Sequence, residues 1–222
     1  LEAVKKELPA LKACLNTLPV SERIRTEELL KRPAKREGIK TPSAVQYVAR
    51  AGHIKKYYVT YRILKVILSY DYLWINLRVK GGAYGCMSGF KRNGESFLVS
   101  YRDPHLKRTL EVYQGVPDYI RAFEADEREM TKYIIGTISN KDVPRTPQMQ
   151  GSISKTAYFS NVTEDMLQKE RNQILGAQKE DIQKLAALVE AVLSDDQICV
   201  VGSETAIEKA EDVFMEVKPL IG

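Results

Sequence analysis

Between Val59 and Leu77 apolar side chains recur with the period of an α-helix, and the pattern stops at two consecutive glycines, Gly81 and Gly82. Val59, Ile63, Val66, Ile67, Tyr70, Trp74 and Leu77 share one face of a helix predicted over residues 57–77, which assigns Trp74 to the core. Glycine ends a helix readily because it can take positive φ. Residues 84–92 and 95–101 then read as two strands joined across Asn93-Gly94, the preferred dipeptide of a tight type I′ hairpin. Taken with a strand before them and several helices, a strand and a helix after them, this helix and hairpin describe a layered α+β arrangement.

The remaining segments fit that plan. Residues 45–54 are predicted as a strand, Asp103-Pro104 as a helix start, and Gly115-Val116-Pro117 as a break. Asp126 and Glu129 have capping-box spacing and open a helix to about residue 139. Thr163 caps another helix, a second follows over residues 178–193, residues 198–201 form a short strand, and residues 204–220 are predicted as a closing helix. Residues 140–162, with Pro144, Pro147 and Gly151, read as an irregular stretch. The expected fold class is α+β, a mainly antiparallel sheet with helices packed on one face.

The first 17 residues are predicted as an amphipathic helix through Val4, Leu8, Leu11 and Leu15, similar in character to the closing one. Residues 1–17 are therefore expected to close a preceding, homologous domain, residues 18–43 to be a linker, and residues 44–222 to form a C-terminal domain. With no initiator Met, the chain is expected to be a processed or excised part of something longer.

Charge is distributed unevenly along the 222 residues: residues 44–110 carry +9 and residues 111–222 carry −8. A basic concavity could attract nucleic acid or an acidic peptide, but no helix-turn-helix, zinc-finger or ribonucleoprotein signature accompanies it, so no nucleic-acid partner is expected. No apolar run is long enough to span a bilayer, so no membrane partner is expected either. The three cysteines, Cys14, Cys86 and Cys199, have no metal-knuckle or disulfide spacing and are expected to be reduced and mostly buried. A cytoplasmic location follows from that expectation, or a mitochondrial matrix in a eukaryote.

The segment from Arg78 to Gly85, Arg-Val-Lys-Gly-Gly-Ala-Tyr-Gly, resembles the Arg-x-x-Gly-Gly-Ala-Tyr-Gly segment of the insulinase/pitrilysin-type zinc peptidases, and more closely their presequence-protease branch. Ser100-Tyr101-Arg102-Asp103-Pro104 and the order of elements extend the similarity over about residues 44–222. The resemblance implies the C-terminal, non-catalytic domain of a peptidase built from four related domains. By the same resemblance, Tyr84 supports the oxyanion of the tetrahedral intermediate, Arg78 holds the substrate backbone, and Gly81 and Gly82 let the main chain approach closely. The implied partners are an N-terminal catalytic half and an unfolded peptide substrate, with zinc in the parent enzyme and no cofactor on this segment.

The chemistry is consistent with those assignments. A tyrosine hydroxyl is a neutral donor at pH 7, and a guanidinium offers a fixed fork of donors to peptide carbonyls. No H-x-x-E-H signature is present, and His53 and His105 lie far apart in sequence without further ligands at metal spacing, so no metal site and no independent peptidase activity are expected. The alternative is a non-catalytic structural or binding module of the same fold, a core-subunit-like scaffold.

Overall fold

The computed structural model describes residues 2–17 and 35–220. The helix α1 (Glu2–Asn16), which carries Pro9, belongs to a separate unit from the rest. The larger unit is built on one six-stranded sheet of β1 (Arg36–Thr41), β2 (Gln46–His53), β3 (Gly85–Phe90), β4 (Glu95–Asp103), β5 (Gln197–Ser203) and β6 (Glu216–Pro219). The strand order is β3-β4-β2-β5-β1-β6. Pairings β3–β4, β4–β2 and β2–β5 are antiparallel, whereas β5–β1 and β1–β6 are parallel. The sheet is thus mixed, antiparallel through its larger part and parallel at one edge.

Burial alternates along the strands with the two-residue period of a pleated ribbon. Val48, Leu98, Ile198 and Val200 are buried on one face. On that face lie α2 (Tyr61–Tyr70), α3 (Lys107–Gln114), α4 (Val116–Arg121), α5 (Glu127–Lys141), α7 (Glu164–Leu175), α8 (Lys179–Gln183), α9 (Ala186–Ser194) and α10 (Glu204–Glu208), whose Ile63, Ile67, Ile120, Ile174, Ile182 and Ile207 are wholly buried. Tyr113 is locked in this core, its hydroxyl donating to the Val48 carbonyl at 3.1 Å. The opposite face presents Phe97, Val99 and Tyr101 on β4 with Met87, Tyr47, Ala49 and Val201 beside them, all at least partly exposed. Among the described residues of this unit, the helices that bury the core cover one face of the sheet.

Several elements differ from the sequence expectation. Arg36–Thr41, in the stretch read as linker, is a strand. Its only buried residue is Gly38, so no alternation of apolar side chains marks it; its partners are residues 198–203 and 216–219. The closing helix over residues 204–220 is instead α10, a short 3₁₀ turn at Glu211–Val213 and β6, because the strand captures residues 216–219 beside β1. The likeness between the first and last helices therefore has no structural counterpart. Residues 140–162 contain a helix, α6 (Pro147–Phe159), capped by the Thr146 hydroxyl and opened by proline at its first position. None of its residues is buried.

The hairpin forms, but not with a type I′ turn. Lys91 N–H donates to Glu95 O at 2.8 Å and Gly94 N–H to Lys91 O at 3.0 Å, and Gly94 has φ 95 while Asn93 keeps negative φ. This is a three-residue loop closing on a glycine bulge, the next most common hairpin solution. Cys14 is exposed, not buried, and Cys86 and Cys199 are half-buried. Among the described residues no helix is long and apolar enough to cross a membrane.

Candidate functional site

The helix predicted over residues 57–77 is two pieces. After α2 ends at Tyr70, the backbone widens into a π-helical turn, Trp74–Val79, in which Lys80 N–H donates to Ile75 O at 2.9 Å. Widening changes which face each side chain occupies, and Trp74 is turned outward, 39% exposed, instead of joining the core. Leu77 stays buried. Such turns recur at functional sites because they re-aim side chains without ending the helix.

Arg78 is the residue this turn re-aims. Its guanidinium carbon lies 4.2 Å from the centre of the Trp74 ring and 5.9 Å from that of Tyr84. The chain then reverses through Gly81 and Gly82. Gly81 is buried, and a β-carbon there would overlap the Leu77 carbonyl; Gly82 is exposed with φ 76. The reversal is fixed by Ala83 N–H donating to Leu77 O at 2.9 Å, and Arg108 caps the Lys80 carbonyl at 3.1 Å. Tyr84 emerges 58% exposed, immediately before β3. Its N–H donates to Arg102 O at 3.2 Å, and its ring sits 5.6 Å from Tyr101. The structure therefore brings Arg78 and Tyr84 together at one corner of the open sheet face, where Tyr101 ends its apolar row.

Three neighbours were not assigned roles from the sequence. Trp74 was placed in the core by its helical phase. Tyr101 and Arg102 belong to a bulge: Gln46 pairs with Asp103 and Val48 with Ser100, so two β4 residues oppose the single Tyr47. Arg102 takes φ 50, which lets it leave the strand alternation and set its guanidinium 5.7 Å from the Tyr84 ring centre. Asp103, wholly buried, anchors the bulge, accepting from His105 N–H at 2.9 Å and Thr109 Oγ1 at 2.7 Å. It acts there as a loop anchor; α3 begins only at Lys107.

Cys86 lies on β3 close enough to Arg78 to feel its charge; burial nevertheless pushes its thiol up to about 11. The histidines are elsewhere and apart. His53 Nε2 contacts Asn93 O at 3.2 Å and its N–H donates to Asp195 at 2.6 Å, while His105 sits beside Asp103. Among the described residues no group of three or more His, Cys, Asp or Glu is placed to hold a metal ion. A groove of about 1050 Å³, lined by Tyr57, Arg92, Glu170, Leu185 and Leu188 among others, shares no residue with the Arg78–Tyr84 corner.

The family model of the PreP C-terminal domain matches residues 36–204. Protein HypA of Clostridium perfringens is 47% identical over 191 residues, covering 84% of this chain and 20% of its own length. Presequence protease 1, chloroplastic/mitochondrial, of Arabidopsis thaliana is 33% identical over 196 residues, 84% of this chain and 18% of its own. The chain spans about a fifth of the length of these curated relatives. In fold it is similar to an inactive peptidase M16 domain from Pseudomonas fluorescens, with TM-score 0.62 and 18% identity over 100% of this chain and 52% of that one. A putative zinc protease from Bordetella pertussis superposes with TM-score 0.54 and 14% identity, over 70% and 92%.

Proposed function

The chain belongs to the family of presequence-protease C-terminal domains, and from that premise we propose that it is the substrate-gripping, non-metal part of a zinc metalloendopeptidase that degrades unfolded peptides in a closed chamber. The observation that carries this reading is the convergence of Arg78 and Tyr84 at the end of an open sheet face, 5.9 Å from guanidinium carbon to ring centre.

An extended peptide laid along Phe97, Val99 and Tyr101 would reach that corner with its backbone carbonyls exposed. Arg78, braced on Trp74, donates to those carbonyls. The Tyr84 hydroxyl donates to the carbonyl oxygen that gains negative charge as the peptide bond is attacked, a contact worth most when that charge is greatest. Gly82, exposed and without a side chain, leaves room for the peptide main chain, while Gly81 shapes the turn from within.

Among the described residues no group is placed to hold zinc: the two histidines are apart, His53 Nε2 lying against the Asn93 carbonyl and His105 following the buried Asp103. The metal and the attacking water belong, in this proposal, to the N-terminal catalytic half of the parent protein, which is the partner this domain closes upon. Zinc bound there would supply the activated water.

The test is steady-state kinetics of the full-length protein on an unstructured fluorogenic peptide. Tyr84→Phe is expected to lower kcat more than it raises KM, and Arg78→Ala to affect both. Wild-type kinetics in both variants would leave the scaffold reading, a structural module of the same fold, in its place.

A further inference from the structure

The resemblance that singles out Arg78 and Tyr84 leaves Arg102 without a role, yet the fold goes to some length to place it. A bulge inserts one residue into β4 opposite Tyr47, and Arg102 occupies left-handed backbone at φ 50, a conformation that few non-glycine residues adopt. The result is a guanidinium 5.7 Å from the Tyr84 ring, facing the same exposed tyrosine as Arg78.

Neither cation is neutralised among the described residues. Arg36 and Arg50 meet Asp196, Arg92 meets Glu170, Arg121 meets Asp118 and Glu190, and Arg171 meets Asp142, whereas Arg78 and Arg102 meet aromatic rings only. The adjacent carboxylate, Asp103, is buried with both oxygens committed to His105 and Thr109. Lys80 and Arg108 add positive charge at the neighbouring helix end. Two unpaired guanidinium groups about one ring form a site of positive potential that a neutral peptide carbonyl satisfies only in part and a carboxylate satisfies fully.

We propose that Arg102 is a specificity-determining residue that, with Arg78, receives a carboxylate of the bound peptide beside Tyr84. This rests on the reading of the corner as a peptide grip. The carboxylate is either an acidic side chain near the bond to be cut or the peptide's own C-terminus.

The experiment compares kcat/KM of the full-length protein on matched unstructured fluorogenic peptides. One arm exchanges Glu for Gln at positions flanking the cut, and the other exchanges a free C-terminus for its amide. The wild type is expected to favour the charged member of one pair by roughly fivefold, the scale of a partly exposed ion pair; the arm in which this appears identifies the source. Arg102→Gln should bring that ratio close to one, and so should Arg102→Gly, which suits φ 50 and guards against a folding defect. An unchanged ratio in both variants, or no charge preference in the wild type, overturns the proposal. An equal fall on every peptide also overturns it, placing Arg102 against a carboxylate of the catalytic half. Tyr84→Phe run alongside separates the two readings: if it lowers kcat while Arg102→Gln leaves the ratio intact, only this inference fails.

Discussion

The guanidinium of Arg78 rests 4.2 Å from the centre of the Trp74 ring, one helical step back along a π turn. A cation held against an indole is restricted to a narrow range of directions, and an exposed contact of this kind is worth roughly 0.5–1 kcal/mol.

Trp74→Ala in the full-length protein is therefore expected to raise KM about two- to fivefold, with a smaller effect on kcat. Trp74→Phe, which keeps a ring under the guanidinium, should fall between. A Trp74→Ala enzyme with wild-type KM would show that the indole does not position Arg78.

Gly82 has φ 76 and open space around it, the nearest neighbour of an added β-carbon being Pro104 Cγ at 3.6 Å. Gly82→Ala should therefore cost backbone strain alone, about 1 kcal/mol, and Gly82→Asn less, since asparagine tolerates this region. Urea unfolding of the chain measures both. Equal stabilities for all three would mean that the turn relaxes to negative φ.

Thiol chemistry offers a reading of Arg78 that needs no substrate. At pH 8 the exposed Cys14 should be alkylated first, and Cys86, its thiol pushed up to about 11 by burial, at least tenfold more slowly. Raising the pH toward 11 should narrow the gap as Cys86 ionises. The Arg78 charge favours the thiolate, so Arg78→Ala should slow Cys86 further. Mass spectrometry of the labelled peptides, timed at several pH values, distinguishes these outcomes.

Ile153 on α6 is 41% exposed, whereas Ile182 on α8 is wholly buried. Ile153→Ala should change stability by no more than about 0.5 kcal/mol, while Ile182→Ala should cost about 2–5 kcal/mol by leaving a cavity. Denaturant midpoints compare the two directly. A large cost at Ile153 would show that α6 is packed in solution against something absent here.

What could be read from the sequence was what local chemistry dictates. The capping box of Asp126 and Glu129 forms as its spacing requires, with Glu129 N–H to Asp126 at 2.8 Å. Thr163 caps α7 with its hydroxyl, which accepts from Met166 N–H at 3.2 Å. The elements that escaped notice are set by distant partners or by a shift of hydrogen-bond register. β1, with charged residues and a glycine, has no strand pattern of its own; β5 and β6 define it. β6 was absorbed into a helical pattern for the same reason. For α6 the Thr146-Pro147 cap was a usable signal, outweighed by the proline and glycine around it.

The candidate corner divides likewise. Arg78, Gly82 and Tyr84 stand within one short segment and were visible there. Trp74 was not, because a π turn carries no side-chain signature and helical phase sent the indole inward. Arg102 stood within a segment already noted, but its place beside Tyr84 depends on a bulge that exists only when β4 is laid against β2, where Gln46 and Val48 set the count.

The pairing of β1 has a consequence for the order in which the domain can assemble. Its neighbours in the sheet are β5 and β6, residues 197–203 and 216–219, so the strand made first must wait for those made nearly last. On a ribosome, β1 would stay unpaired through the synthesis of more than 150 intervening residues, and a chain cut short before β5 would leave β2 with an open edge as well. Such long-range closure is slow and exposes strand edges to other chains in the interval. The edge of the sheet is thus the last part of the domain to become safe from aggregation, however early it is translated.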